Sequence, residues 1–251
     1  MDSSNKIIQC SCIGKCGRFG NQLFQYAFAR AYAEKYNCTL EIPTWIGEKI
    51  FKNVSHPPIS KRLPRTACDK VPWGQTNIDL FGYFQQRCHL AILSKSKLQE
   101  WFTFQDKWFE YFINLKSVAV AHLRRGDYVT KHSKIFCIVS KESYQKAFEK
   151  FNIRERDVVW KTEENQVRWR DMEDDLLFLP DFFEMMLAQH LFRANSTFSF
   201  WAGFFNRNKV YNPVIGNKMG LSDVEFVEGN GLAIKAGNDP LIIKDNSQKE
   251  L

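Results

Sequence analysis

Residues 118–129 read VAVAHLRRGDYV, and this stretch decides the prediction of the fold. Its first four residues are small or β-branched and apolar, which is typical of a parallel strand covered on both faces of a sheet. The strand is followed by His122, Arg124, Arg125 and Asp127 instead of ordinary turn residues. Ligands of open α/β sheets bind at the carboxyl ends of strands, and guanidinium groups match phosphate oxygens. Two interpretations stay open: a phosphate clamp, or an ion pair from Arg125 to Asp127 or another carboxylate.

The same alternation of strand and helix extends in both directions from this stretch. Apolar periodicity predicts strands at 7–13, 39–42, 78–84, 118–121, 157–160, 191–194 and 209–211, the last of them the final strand. It predicts helices at 21–36, 89–115, 141–151, 182–190 and 196–205. The pattern indicates an α/β protein with two Rossmann-like domains facing each other, residues 1–112 and 113–238, followed by a polar tail at 239–251.

Composition narrows the class of protein. The chain has 251 residues, 44% of them hydrophobic, which is typical of a folded globular protein and excludes general disorder. A net charge of +7 indicates an anionic partner, such as nucleic acid, a membrane surface or a phosphate-bearing small molecule. Charge alone does not choose among them.

The first 20 residues do not have the pattern of a signal peptide or membrane anchor, so none is predicted there, and no transmembrane segment is predicted. The chain is therefore expected to be cytoplasmic as written, or to lie in a Golgi-type lumen if it is a truncated form. Seven cysteines without a C-x-x-C pair agree with a reducing compartment. Cys10, Cys12 and Cys16 lack a fourth ligand at zinc-site spacing, and the first two alternate along a predicted strand. We expect buried thiols there.

Three stretches carry a resemblance to a known family. HLRRGDY at 122–128 resembles the signature of the α-1,2-fucosyltransferases, glycosyltransferase family 11. GRFGNQLFQYAFARA at 17–31 and ANSTFSFWAGFFN at 194–206 resemble two other blocks of the same family in the same order. GYFQQ at 82–86 is a weaker match. Three ordered motifs are more specific than any one of them, and together they cover much of the chain.

The resemblance implies a GT-B-like architecture, with an N-terminal domain on the acceptor side, a C-terminal donor domain and a cleft between them. It implies inverting transfer of fucose from GDP-fucose to a sugar hydroxyl, with O-2 of a terminal galactose or a similar residue as the expected position. It implies neither a cofactor nor a metal. A leaving diphosphate needs stabilisation by a metal or by fixed cations and amides, and the arginines can supply it. The acidic run at 171–175 is expected to be a solvated loop.

The family's functional residues are carried over where this sequence matches. The resemblance implies a catalytic group of Arg124, Arg125 and Asp127. One arginine, Arg124 by preference, is expected on the β-phosphate, the other supports the loop or reaches the nucleotide, and Asp127 orients an arginine. It implies donor binding by those arginines and by His122, Asp181 (at the guanine edge), Ser196, Thr197 and Phe198, and an acceptor-side group of Gly20, Asn21 and Gln22. Two alternatives stay open: His122 as a hydrogen-bonded core histidine, and Asn21 as a helix cap. His190 is expected to be structural, and Trp201 to be core or a pocket wall.

The sequence departs from the family in one motif. The Ser-Asp-Asp stretch expected after the fourth strand of the second domain is replaced by Lys161-Thr162-Glu163-Glu164, and the chain is short for a two-domain transferase. The general base is unassigned, with His132 as a candidate. Two rival functions follow: a degenerate module that binds a nucleotide sugar or a glycan without turnover, and an anionic-polymer binder using the basic stretches KRLPR and RERDVVWK. GDP-fucose and a glycan are the expected partners, nucleic acid is not, and the oligomeric state stays open.

Overall fold

The structure is a computed structural model that describes residues 6–162 and 172–229. The chain divides into two compact units between Trp108 and Phe109. The sequence analysis placed this boundary near residue 112. The predicted polar tail at 239–251, together with Glu163 and Glu164, lies outside the described residues. Within the two described ranges, no helix has both the length and the apolar character needed to cross a membrane.

The N-terminal unit has a three-stranded parallel sheet in the order β2-β1-β3. Its strands are β1 (Ile7–Gln9), β2 (Thr39–Glu41) and β3 (Ile78–Asp79), and its helices are α1 (Phe19–Lys35), α2 (Gly47–Ile50), α3 (Arg87–Leu90) and α4 (Lys95–Trp101). Helix α1 is buried along most of its length. A dense aromatic core surrounds it, with Phe28 and Phe84 stacked at 4.4 Å between ring centroids. The core holds the carboxyl ends of the strands and the start of α1 in place.

The C-terminal unit has a five-stranded sheet in the order β10-β8-β7-β4-β6. Its pairs are parallel except that between β10 and β8. The strands are β4 (Ala119–His122), β6 (Val158–Lys161), β7 (His190–Phe192), β8 (Lys209–Pro213) and β10 (Phe226–Glu228). A separate parallel pair is formed by β5 (Cys137–Val139) and β9 (Gly220–Ser222). Helix α5 (Asp106–Phe112) precedes the sheet, and α6 (Gly126–Thr130), α7 (Lys141–Lys150), α8 (Leu179–Leu187) and α9 (Thr197–Phe205) follow along the chain.

The two faces of this sheet have different roles. Ala119, Ala121, Phe192 and Tyr211 join α7 in one apolar cluster. Successive residues of a strand point to opposite faces, so the residues next to these, including His122, belong to the other face. The ring of His122 contacts Phe198 of α9, in agreement with this assignment. The sheet therefore presents the end of β4 to the start of α9.

Several predicted elements were wrong in extent. The strand predicted at 7–13 ends at Gln9, because the backbone turns through Cys10–Cys16 and the Ser11 amide donates to Asp79 Oδ1 at 2.9 Å. The strand predicted at 78–84 ends at Asp79. The region predicted as one helix at 89–115 contains several short helices. Strand β5 was missed, and the strand at 209–213 is followed by β9 and β10.

Candidate functional site

The arginine pair lies in a short connection between strand and helix. Strand β4 ends at His122, and α6 begins at Gly126. Gly126 has a φ of 26°, which a residue with a side chain adopts only under strain. Because both arginines follow the strand, strand alternation does not force them to opposite faces. The connection is fixed to the neighbouring strand by the Leu123 amide, which donates to the Lys161 carbonyl at 2.8 Å.

The two arginines have different environments. The guanidinium of Arg124 forms an ion pair with Asp127 and lies 4.9 Å from the centroid of the Tyr128 ring. Nη1 of Arg125 donates to the carbonyl of Val139 at 2.9 Å, which ties the connection to β5. The Arg124 side chain is thus in contact with Asp127, and the Arg125 side chain with β5.

His122 is buried behind this connection. It is 6% exposed, its ring centroid lies 6.0 Å from that of Phe198, and its carbonyl accepts a 2.7 Å hydrogen bond from the Tyr144 hydroxyl. Burial, followed by the nearby charges of Arg124 and Arg193, lowers the pKa of His122 to about 3. Among the described residues, none forms a hydrogen bond with its Nδ1 atom. The alternative that His122 is a core histidine hydrogen-bonded through Nδ1 is therefore not supported.

The start of α9 lies on the same side of the sheet. Ser196 caps this helix, and its Oγ accepts a 3.2 Å hydrogen bond from the Phe198 amide. Thr197 is the first helical residue, so the hydroxyls and amides of this turn combine with the positive end of the helix dipole. Phe198 is half-buried, and Trp201 is fully buried core. An anion at the end of β4 would be favoured by this helix end as well as by the arginines.

Sequence reasoning missed a polar row across the ends of the strands. His122 and Lys161 are register partners on β4 and β6. Arg193, which follows β7 directly, is fully buried; it donates to the side-chain oxygen of Asn212 on β8 and lies 4.9 Å from the Phe200 ring. Burial lowers the pKa of Arg193 to about 9. The sequence signal for it was an arginine inside the predicted strand at 191–194.

Lys161 joins this row to α8. Its Nζ lies 2.9 Å from Asp181 Oδ1 and 2.6 Å from Glu184 Oε2. Glu184 also accepts a 2.6 Å hydrogen bond from the Ser117 hydroxyl. Burial raises the pKa of Asp181, and the hydrogen bond and charge of Lys161 oppose that rise. Asp181 lies in the first turn of α8, so the helix was predicted to begin too late.

The residues predicted for the acceptor side lie in the first turn of α1. Since the cap residue of this helix is Arg18, the alternative that Asn21 caps it was wrong. Oδ1 of Asn21 instead accepts a 3.0 Å hydrogen bond from Gln85 Nε2, so the 17–31 and 82–86 motifs meet. Gln22, which is buried, donates from Nε2 to the Gly17 carbonyl at 3.3 Å, and Gly20 is buried beside it.

Other predicted residues have simple placements. Cys10 and Cys12 are buried as expected, although they follow β1, and Cys16 is only half-buried. His190 Nδ1 lies 3.0 Å from the Tyr211 hydroxyl, and the His190 ring stacks on the Tyr211 ring. This contact is structural. His132 contacts the Phe136 ring. Within 6–162 and 172–229, no three or more His, Cys, Asp or Glu side chains are grouped so as to hold a metal ion.

The sequence model described as "Glycosyl transferase family 11" matches residues 67–230, which is more than half of the chain. The chain belongs to glycosyl transferase family 11. The predicted family membership is therefore confirmed. The matched region contains HLRRGDY and ANSTFSFW, whereas the N-terminal motif at 17–31 lies before it.

Solved structures give the fold of this family 11 glycosyl transferase. A NodZ alpha-1,6-fucosyltransferase soaked with GDP-fucose has a TM-score of 0.57 at 13% identity, over 90% of this chain and 99% of that one. A selenomethionine form of the fucosyltransferase NodZ from Bradyrhizobium has a TM-score of 0.55 at 10% identity, over 90% and 100%. At such identities the likeness shows the fold, and the predicted GT-B-like α/β class is confirmed. No curated protein matches the chain.

Proposed function

We propose that this protein transfers fucose from GDP-fucose to a sugar hydroxyl, with inversion at the anomeric carbon. The observation that carries the proposal is the placement of Arg124 at the carboxyl end of β4, paired with Asp127. His122 at the same strand end contacts Phe198 in the first turn of α9. The structural likeness to a NodZ alpha-1,6-fucosyltransferase soaked with GDP-fucose supports this donor.

The proposed reaction breaks the bond between the anomeric carbon of fucose and the β-phosphate oxygen. The electron pair stays on that oxygen and leaves with GDP, while the acceptor oxygen forms the new bond and gives up its proton. Negative charge therefore grows on the diphosphate in the transition state. Arg124 is placed to stabilise it, and the amides at the start of α9 add donors. In this scheme Arg125 fixes the loop through the Val139 carbonyl.

His122 has a different part in the proposed site. Because its pKa is lowered to about 3, its ring is neutral at physiological pH. A neutral imidazole presents one N–H donor and one acceptor nitrogen. We assign it to donor contact, beside Ser196, Thr197 and Phe198. Asp181, held by Lys161, is assigned to the N–H groups of the guanine edge.

The acceptor is the less constrained half of the proposal. We assign it to the N-terminal unit, where Gly20, Asn21 and Gln22 open α1. The resemblance to α-1,2-fucosyltransferases favours O-2 of a terminal galactose or a similar residue. His132 stays a candidate for the base that removes the acceptor proton. The cationic side chains can stabilise the leaving group in a metal-independent reaction.

A transfer assay on a glycan array with labelled GDP-fucose, with and without EDTA, tests the proposal. We expect fucosylated product in both arms, an α-1,2 linkage by NMR, and GDP binding by calorimetry. Failure to bind GDP or GDP-fucose would overturn it. Tight GDP-fucose binding without transfer or hydrolysis would favour the non-catalytic binding module. A different linkage with intact transfer would correct only the acceptor assignment.

A further inference from the structure

A basic segment passes over the carboxyl ends of the strands in the N-terminal unit. The last residues of β2, β1 and β3 are Glu41, Gln9 and Asp79, and they are register partners across the sheet. All three are buried, with exposed fractions of 6%, 1% and 5%. Burying polar side chains is costly unless they are hydrogen-bonded. Gln9 donates to Glu41, and Asp79 accepts from Ser11. Their other hydrogen-bond partners include residues within 57–66, which contain the KRLPR stretch.

Each of these three residues fixes part of the segment. Glu41 accepts hydrogen bonds from the Ser60 amide at 3.0 Å and the Ser60 hydroxyl at 2.7 Å. Gln9 Nε2 donates to the Lys61 carbonyl at 2.8 Å. The Asp79 amide donates to the Pro64 carbonyl at 2.8 Å, and its own carbonyl accepts from the Thr66 amide at 2.9 Å. The backbone of the segment is thus held at the strand ends.

The segment presents three exposed cations, Lys61, Arg62 and Arg65, which we name the basic edge. Arg65 is fixed in direction: its Nε lies 3.0 Å from Asp79 Oδ2, its Nη2 donates to the Ser11 hydroxyl at 2.7 Å, and its guanidinium lies 5.0 Å from the Phe81 ring. The Arg65 side chain remains 55% exposed. Burial acts to raise the pKa of Glu41, but hydrogen bonds from Ser60 and Gln9, followed by the charge of Lys61, lower it.

We propose that the basic edge binds an anionic group of the acceptor sugar: a carboxylate, a sulfate or a phosphate. The inference rests on the proposed function, which assigns the acceptor to this unit. Ligands of parallel sheets bind at the carboxyl ends of the strands, and the loop that leads to Asn21 leaves the same end of β1. A guanidinium whose direction is already fixed loses little freedom on binding an anion.

The test uses four methyl β-galactosides that differ only at C6: the neutral sugar, the galacturonide, the 6-sulfate and the 6-phosphate. All four keep O-2 free. Transfer from GDP-fucose is measured as kcat/KM, and binding in the presence of GDP by calorimetry. We expect at least one anionic acceptor to exceed the neutral sugar by about tenfold, with the favoured anion identifying the group, and Arg65→Met to remove that preference. Neutral-sugar transfer and GDP affinity should stay unchanged.

Two further variants keep the test decisive if Arg65→Met unfolds around Asp79. The double variant Lys61→Met/Arg62→Met changes only exposed side chains, and it should reduce the preference for anionic acceptors severalfold. Arg156→Met, an exposed arginine of the other unit, is the matched control and should retain it. Equal use of all four sugars, or the same preference in every variant, would overturn the inference. Displacement of the anionic sugar by duplex DNA at low concentration would also overturn it, in favour of a nucleic-acid surface.

Loss of the basic-edge effect is distinguishable from loss of the proposed function. Donor hydrolysis and GDP binding involve the C-terminal unit in our assignment and do not require an acceptor. If both are absent, the proposed function fails, and the calorimetric comparison of the four sugars still tests the basic edge. If both are present and the sugars bind equally, only the basic edge fails.

Discussion

Lys161 and Asp181 meet at 2.9 Å between Nζ and Oδ1, which ties the end of β6 to the first turn of α8. Glu184 holds the same ammonium group from the next turn at 2.6 Å. The lysine occupies the position where the family resemblance predicted the start of an acidic motif. One cation thus pairs with two carboxylates near the proposed nucleotide site.

Replacing Lys161 with methionine should destabilise the protein and weaken guanine recognition. Removing one partner of a buried ion pair costs about 3 kcal/mol, because the remaining charges stay buried. Loss of the ammonium should raise the pKa of Asp181 further, so GDP affinity should fall as the pH is lowered through that raised pKa. Urea unfolding and calorimetry with GDP and ADP measure these effects. Lys146→Met, in an exposed pair with Asp223, is the control and should change stability by less than about 1 kcal/mol.

Arg124→Ala should reduce kcat for transfer by about 100-fold or more while leaving the fold intact, since it removes a cation expected to act on the leaving diphosphate. Asp127→Asn should give a smaller loss, because it only releases the orientation of Arg124. Initial rates with GDP-fucose measure both.

The chain offers a matched control for this experiment. Arg154 and Asp157 form another i, i+3 ion pair, at 2.6 Å, but it is exposed and precedes β6. Arg154→Ala should retain full activity. Normal transfer by Arg124→Ala would remove the main support for the proposed mechanism.

His122 should make folding stability depend on pH below neutrality. Its pKa is about 3 in the folded protein against an ordinary value near 6.5, so between these values the unfolded state binds more protons. The stability that depends on the neutral state of His122 is therefore complete above pH 6.5. It is lost as the pH falls toward 3, and the free energy of unfolding decreases by up to about 1.4 kcal/mol per pH unit. Urea unfolding at pH 7 and pH 4.5 measures it. His122→Asn should show a smaller difference between the two pH values than the parent, and an equal difference would contradict the prediction.

Gly82→Ala should destabilise the N-terminal unit and disturb the contact between Asn21 and Gln85. Gly82 has a φ of 155°, and an added Cβ would lie 2.3 Å from Asp69 Oδ1 and 2.6 Å from the Asp69 amide nitrogen. Asp69 also accepts hydrogen bonds from the Tyr83 and Phe84 amides, so it is not free to move away. We expect a loss of about 3 kcal/mol in the free energy of unfolding.

Gly74→Ala separates backbone strain from the steric clash at Gly82. Gly74 also has a positive φ, 86°, but no described atom lies within 4 Å of its added Cβ. The Gly74→Ala variant should lose about 1 kcal/mol in the free energy of unfolding. Equal losses in the two variants would mean that the clash with Asp69 is relieved at little cost.

The C-terminal unit was more predictable than the N-terminal one. An apolar run such as VAVA specifies a buried parallel strand, and amphipathic spacing placed α7, α8 and α9 to within a few residues. Strands β5 and β9 were missed because each is short and gains its stability from pairing with the other, 83 residues away in the chain. Strand β3 was overestimated because, beyond the Leu80 amide, which still donates to the Gln9 carbonyl, the backbone at 81–84 is held by hydrogen bonds to Thr66 and Asp69 instead of a neighbouring strand.

By itself, the sequence determined the α/β class, the family, and the position of two arginines just after a core strand, because these depend on local pattern and motif order. Only the tertiary structure decided the partners of the charged groups. Arg125 reaches a carbonyl of β5, Lys161 reaches α8, and Arg193 reaches Asn212. These pairings depend on strand register and helix packing between segments far apart in the chain, which a linear pattern of residue types does not contain.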